Sequence, residues 1–163
     1  MKKVLVVMGS DSDLKVMEKC VDRLKSFDIP TEVRICSAHR TPAVAEQLAK
    51  NAAAEGFGVI IAAAGKAAHL GGVLAAYTTL PVIGVPMATS VMGGMDSLLS
   101  IVQMPKGIPV ATVAIDGADN AAILAAQMIA LLDDALAQKL AQFKADMAAE
   151  VTAKDEKVRA QFA

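Results

Sequence analysis

The chain has little of several things. Among 163 residues there is no tryptophan, one tyrosine, four phenylalanines, two cysteines and two histidines. Two cysteines, Cys20 and Cys36, cannot build a disulfide framework and fit reduced thiols in a cytoplasm. Net charge is also nearly missing: 16 basic side chains face 17 acidic ones, which leaves −1 and no electrostatic footprint for nucleic acid or an anionic membrane. Long apolar runs are missing too, because Thr78, Thr79, Pro81 and Gln127 interrupt the candidates well short of the roughly 18 residues a membrane helix needs. At the start, Lys2 and Lys3 precede an apolar stretch, Val4 to Met8, that is too short for a signal core. The expected partners are therefore a small molecule and like subunits, with no nucleic acid and no membrane.

What is present is aliphatic. The chain is 55% hydrophobic, with the excess carried by alanine, valine, isoleucine, leucine and methionine, and this surface has to be buried by folding and assembly. Short β-branched runs alternate with alanine-rich helical stretches, the pattern of a parallel sheet crossed over by helices. Five strands are predicted, at Lys3 to Met8, Thr31 to Cys36, Gly58 to Ala63, Pro81 to Val85 and Pro109 to Ala114, each read as covered on both faces. The helices between them are predicted from Ser12, with Leu14, Met17, Val21 and Leu24 inward; from a Thr41 cap with Pro42 at the first position to Gly56; over 67–77; over 95–102; and over 120–132. A last helix, 134–158, carries a stripe of Leu136, Leu140, Phe143, Met147 and Val151, which packs either on its own domain or on another subunit. The expectation is one domain: a three-layer α/β sandwich of flavodoxin-like or Rossmann-like type over 1–132, plus the terminal helix.

In such sheets ligands bind beyond the carboxyl ends of the strands, so the loops that follow each strand carry the chemistry. They read GSDSD (9–13), SAHRTP (37–42), AGKAAHLGG (64–72), PMATSVMGGMD (86–96) and IDGADN (115–120). Neither a G-x-G-x-x-G nor a G-K-S/T fingerprint is among them. Ser10 and Ser12 offer hydroxyls at a helix start, where an anion is favoured, while Asp11 and Asp13 read first as helix caps. Arg40 can hold a phosphate by paired hydrogen bonds beside His39, which titrates near neutrality; the alternative is a surface charge and a polar loop residue. Cys36 and His39 form a C-x-x-H, but two histidines and two cysteines are a poor supply for a metal, and none is expected. Gly65, Gly71 and Gly72 allow close backbone approach to a ligand near Lys66 and His69, or else tight packing with His69 satisfied inside. The fourth loop, with Ser90 among methionines and glycines, suits a cover over a ligand or a plain core edge.

Taken in order, GSDSD, SAHRTP, AAHL, DSLLSIVQMP (96–105) and GIPV (107–110) resemble the bacterial N5-carboxyaminoimidazole ribonucleotide mutases, from about Val4 to Leu132. The resemblance implies a cytoplasmic homo-octamer with active sites at subunit junctions and the terminal helix reaching onto neighbours. It implies a reaction that moves a carboxylate from an exocyclic nitrogen to ring carbon 4 of an aminoimidazole nucleotide, with no metal, ATP or other cofactor. Carried onto this chain, His39 is the general acid and base. Ser10, Ser12, Asp13, Ser37 and Arg40 surround ribose and phosphate; Gly65, Ala68, His69 and Leu70 line the base and carboxylate, with Ala67 and Ala68 as small walls for trapped carbon dioxide; Ala38 and Lys66 count among the substrate-binding residues with no part of the substrate assigned to them. Two positions depart from the family pattern: Lys66, where glycine is frequent, and Gly71, where proline is frequent. Lys66 keeps open a relative that carboxylates aminoimidazole ribonucleotide directly. A flavodoxin-like ligand-binding domain is the non-enzymatic alternative.

Overall fold

A computed structural model describes residues 1–163. The elements, in chain order, are β1 (Lys3–Met8), a 3-10 turn (Asp11–Asp13), α1 (Leu14–Ser26), β2 (Thr31–Ile35), α2 (Pro42–Asn51), β3 (Phe57–Ala64), α3 (Leu70–Tyr77), β4 (Val82–Pro86), α4 (Met95–Val102), β5 (Ala111–Thr112), α5 (Ala118–Ala130) and α6 (Asp134–Gln161). The five strands are all parallel, in the order β2-β1-β3-β4-β5.

Side chains alternate across the sheet, and the core divides accordingly. From β1, Val4, Val6 and Met8 face α1, α5 and the start of α6, whereas Leu5 and Val7 face α2, α3 and α4. The doubly covered reading holds for β1, β3 and β4. It fails for β2, an edge strand whose Val33 and Ile35 are 38% and 58% exposed. β5, the other edge, is shorter than predicted, because only Ala111 and Thr112 pair with β4.

On α1 the buried stripe is Met17, Cys20 and Leu24, with Leu14 43% exposed and Val21 only partly covered. Met17 and Leu24 face inward as predicted, while Cys20 takes the inward place read for its neighbour Val21 and Leu14 stays outside. Burial pushes the Cys20 thiol up to about 12, with the nearby Asp119 carboxylate adding to it, so this sulfur is inert core. At the base of α6, Phe143 meets Phe27 edge-on at 5.6 Å and takes the Arg23 guanidinium over its ring at 4.6 Å; Arg23 also pairs with Asp119 of α5 at 2.7 Å. Leu136 is fully buried there. From Lys144 onward every residue is exposed, including Met147 and Val151 of the predicted stripe.

Candidate functional site

Backbone bonds stitch the strand ends into one rim. Cys36 N donates to Met8 O (2.8 Å), Gly9 N to Ala63 O (3.0 Å), Met87 N to Ala64 O (3.0 Å) and Asp116 N to Pro86 O (2.8 Å). Every loop therefore leaves the sheet at one level. The loops after β1, β2, β3 and β4 enclose a cleft of about 620 Å³.

On the first loop Ser10 is the true cap of the 3-10 turn: its Oγ accepts from Ser12 N at 3.3 Å, and the Ser12 hydroxyl lies 2.9 Å from it. The capping role read for the two aspartates is thus corrected. Asp13 makes no side-chain bond to the start of α1, and Asp11 takes the Ser10 hydroxyl instead (3.1 Å). Asp13 faces the cleft yet is 8% exposed, and burial raises its carboxyl above the ordinary range, partly offset by hydrogen bonds from Ser12 and Ser10. A raised carboxyl favours its neutral form in the fold. Its contribution to stability is full below about pH 4 and is lost as pH rises through the shifted value. Asp13→Asn is expected to stabilise the protein at pH 7 by about 0.5–2 kcal/mol, the usual scale of such relief. Thermal unfolding at pH 7 and pH 4 checks this, since the advantage must vanish in acid.

The second loop is held by its own side chains. Thr41 Oγ1 donates to Ser37 O and accepts from Ser37 N, both at 3.0 Å, so its hydroxyl closes the loop rather than capping α2. Ser37 Oγ accepts from Arg40 N (3.2 Å) and Nε (3.3 Å), while Arg40 Nη2 reaches Gly9 O at 3.5 Å. Arg40 is thereby fixed between the first and second loops. Cys36 is buried with its Sγ 3.6 Å from Thr41 Oγ1.

His39 reaches across β1 to the third loop. Its Nε2 lies 2.8 Å from His69 Nδ1, with the rings 5.0 Å apart at 78°. One ring donates and the other accepts, in a direction set by the two tautomers. His69, at the N-cap position of α3, is exposed; the packed reading of it is overturned. Lys66 lines the cleft in left-handed backbone, φ 57°.

Of the residues singled out from sequence, Ser10, Ser12, Asp13, Ser37, Ala38, His39, Arg40, Gly65, Lys66, His69 and Leu70 all line the cleft, and so does Ala67. Ala68 does not: it is 1% exposed and packs into the core beneath the third loop. Met87, Ala88 and Thr89 line the cleft and were not among the named residues, although the strand-end rule pointed at their loop. That loop is pinned at its base, where Ser97 Oγ donates to Met87 O (2.7 Å), Thr89 Oγ1 donates to Asp96 (3.0 Å) and Ala88 N donates to Asp116 (2.9 Å). Its tip is apolar and open, with Val91 86% and Met92 56% exposed. The fifth loop serves the site only through Asp116.

A family model described as AIR carboxylase matches residues 3–150. A protein of Methanocaldococcus jannaschii named N5-carboxyaminoimidazole ribonucleotide mutase is 52% identical over 98% of this chain and 99% of its own length. One of the same name from Mycobacterium tuberculosis is 53% identical over 94% and 88%. The similarity therefore extends to archaeal as well as bacterial proteins and singles out neither group. Among solved structures, Treponema denticola PurE superposes with a TM-score of 0.87 at 30% identity, covering 94% of this chain and 96% of that one. With the family model spanning most of the chain and half its residues shared with such relatives end to end, the protein belongs to the AIR carboxylase family.

Proposed function

We propose that this chain is an N5-carboxyaminoimidazole ribonucleotide mutase, which converts its substrate to 4-carboxy-5-aminoimidazole ribonucleotide in de novo purine synthesis. The observation that carries the reading is the His39 and His69 pair, set among hydroxyl and guanidinium donors in a chain half-identical to proteins of that name. That Arg40, Ser10 and Ser37 line one cleft supports a role for them in holding a phosphate, and the buried Asp13 beside them supports a contact with ribose hydroxyls.

His39 in its protonated form gives a proton to the exocyclic nitrogen as the nitrogen–carboxylate bond breaks, which leaves an amine and carbon dioxide. Ring carbon 4 then attacks the carbon dioxide, forming the new carbon–carbon bond. Neutral His39 removes the proton from carbon 4 and restores both the aromatic ring and its own starting state. Protons balance, and the electron-rich aminoimidazole supplies the nucleophile without a metal or cofactor.

The second reading is direct carboxylation of aminoimidazole ribonucleotide, favoured by a cation, Lys66, in the cleft. A Vigna aconitifolia relative, 49% identical over 94% of this chain, is named phosphoribosylaminoimidazole carboxylase, although this chain spans only 27% of it. Purified protein given the N-carboxylated nucleotide without bicarbonate is expected to form the carbon-carboxylated product rapidly. Turnover only of aminoimidazole ribonucleotide with bicarbonate would install the carboxylase instead, and turnover of neither would end the catalytic reading.

The same proposal includes a cytoplasmic homo-octamer whose neighbours pack on α6. The exposed Met147, Val151, Val158 and Phe162 along its outer half support this. Sedimentation is expected to give a mass near eight times the 16.8 kDa chain, and a single-chain mass rejects the assembly.

A further inference from the structure

Three successive residues of the fourth loop line the cleft, and each is held by a side chain that does not. Met87 O accepts from Ser97, Thr89 donates to Asp96, and Ala88 N donates to Asp116 at 2.9 Å. Ser97 and Asp96 belong to α4, which follows the loop directly, whereas Asp116 comes from the loop after β5. Its backbone is left-handed, φ 55°, a conformation that glycine takes freely and aspartate takes more readily than most side chains. Glycine would make the same turn without the carboxylate. The turn is firmly mounted: Asp116 N donates to Pro86 O, Gly117 N to Ala114 O and Ala118 N to Asp116 O, each at 2.8 Å, and Ala118 is fully buried at the start of α5. Asp116 therefore grips the fourth loop twice, at Pro86 through its amide and at Ala88 through its carboxylate.

What this grip secures is a wall closed against the third loop. Met87 N donates to Ala64 O at 3.0 Å, and a Cβ built on Gly65 would stand 3.5 Å from Met87 Cβ and 3.6 Å from Thr89 Cγ2, so the two loops meet side by side. The same third loop carries His69, whose ring nitrogen lies 2.8 Å from that of His39. The proposed reaction frees carbon dioxide beside this pair before the second bond forms. Carbon dioxide carries no net charge and no hydrogen-bond donor, so the fit of the walls rather than a binding group has to retain it. Phosphate, by contrast, is assigned to the first and second loops, and the fourth has no part in holding it.

Resting on the function proposed above, we infer that Asp116 is a positioning residue: by holding Ala88 it keeps the fourth loop against the third, and so keeps carbon dioxide in the cleft until carbon 4 attacks. Without that hold the reaction stops halfway. The N-carboxylated nucleotide takes one proton, its nitrogen–carboxylate bond breaks with the electron pair left on nitrogen, and aminoimidazole ribonucleotide and carbon dioxide leave separately.

The test follows both products formed from the N-carboxylated nucleotide, with the loss seen without enzyme subtracted, in the full-length protein and in Asp116→Gly, Asp116→Ala and Asp116→Asn. Glycine and alanine lack the acceptor, whereas asparagine keeps an acceptor oxygen, suits the left-handed turn and drops only the charge. In the Gly and Ala variants the share of turnover released as aminoimidazole ribonucleotide should rise about tenfold, the scale of one lost charge-assisted hydrogen bond. Asp116→Asn should restore most of the retention. A share unchanged in the Gly and Ala variants overturns the inference, even where total turnover falls, because a fall alone is what general damage gives. An Asn variant that leaks as much as the other two also overturns it, since charge and not the bond to Ala88 would then be the cause. Ala88 is exposed, so in the unmodified protein its amide should exchange with solvent at least about tenfold more slowly than a free amide only if the carboxylate holds it. Exchange at the free rate rejects the hold whether or not any variant folds. If the unmodified protein forms no carbon-carboxylated product, the functional reading itself fails, and that is seen before any variant is compared.

Discussion

Replacing His39 with asparagine should lower turnover by about two to four orders of magnitude, the range a positioned acid and base supplies, while nucleotide affinity stays within about threefold. Asparagine keeps a polar group of similar reach at the cleft mouth, so the loop that carries Ser37 and Arg40 has no reason to move. Those residues are held by Thr41, which does not touch the imidazole. The substitution removes the imidazole assigned here to give and take the travelling proton. His69→Asn should cost less, because it deprives His39 of the ring that fixes it rather than of the proton carrier. Single-turnover kinetics beside equilibrium binding separates the two effects. Near-normal turnover in His39→Asn would take the residue out of the mechanism, and lost binding would recast it as a ligand-holding side chain.

The second large effect is expected in the core. Gly84 lies in the middle of β4, and a Cβ built there would sit 2.3 Å from Ile101 Cγ2 of α4 and 3.1 Å from Val110 Cγ1. Ile101 is 1% exposed and has no empty space to enter. Gly84→Ala should therefore destabilise the protein by about 2–3 kcal/mol, at the upper part of the usual overpacking range. For a chain of this size that corresponds to a fall in Tm of roughly 4–12 °C. Ile101→Leu removes the β-branch methyl that blocks the new carbon, so the double variant should regain much of the loss. Two costs that simply add would show that the clash is not the cause. Activity should fall as well, because α4 bears Ser97, whose hydroxyl ties down Met87 at the cleft wall.

Much of this was legible from residue order. The apolar run of β1 and the helix at 95–102 were read to the residue, since both are strongly patterned and sharply bounded. The edges were harder. The apolar and β-branched run at 109–114 reads as a full strand, but pairing rather than pattern decides a strand's length, and only Ala111 and Thr112 join the ladder to the five-residue β4. On α1 Met17 and Leu24 were read inward correctly, but Cys20 rather than the adjacent Val21 faces the core, a choice that spacing of three to four residues leaves open. Loop chemistry was visible as composition, and eleven of the twelve residues named for the site line one cleft; the exception, Ala68, is small enough to be core. The 2.8 Å contact between His39 and His69 was not visible, because it joins residues 30 positions apart through the crossover around β1.

The outer half of α6 sets a local scale of stability. From Lys144 to Gln161 every residue of the helix is exposed in its own chain, and pairs such as Lys154 with Glu150 one turn apart support it. Most helical stability in proteins comes from tertiary packing of one face, which this exposed segment has little of within its own chain. Its amide hydrogens should therefore exchange with solvent orders of magnitude faster than those of β3 in an isolated chain, and slow toward the rates of the core once another surface covers them. If neighbouring subunits pack on α6 as proposed, deuterium uptake along this one helix reads the degree of assembly, independently of any measurement at the cleft.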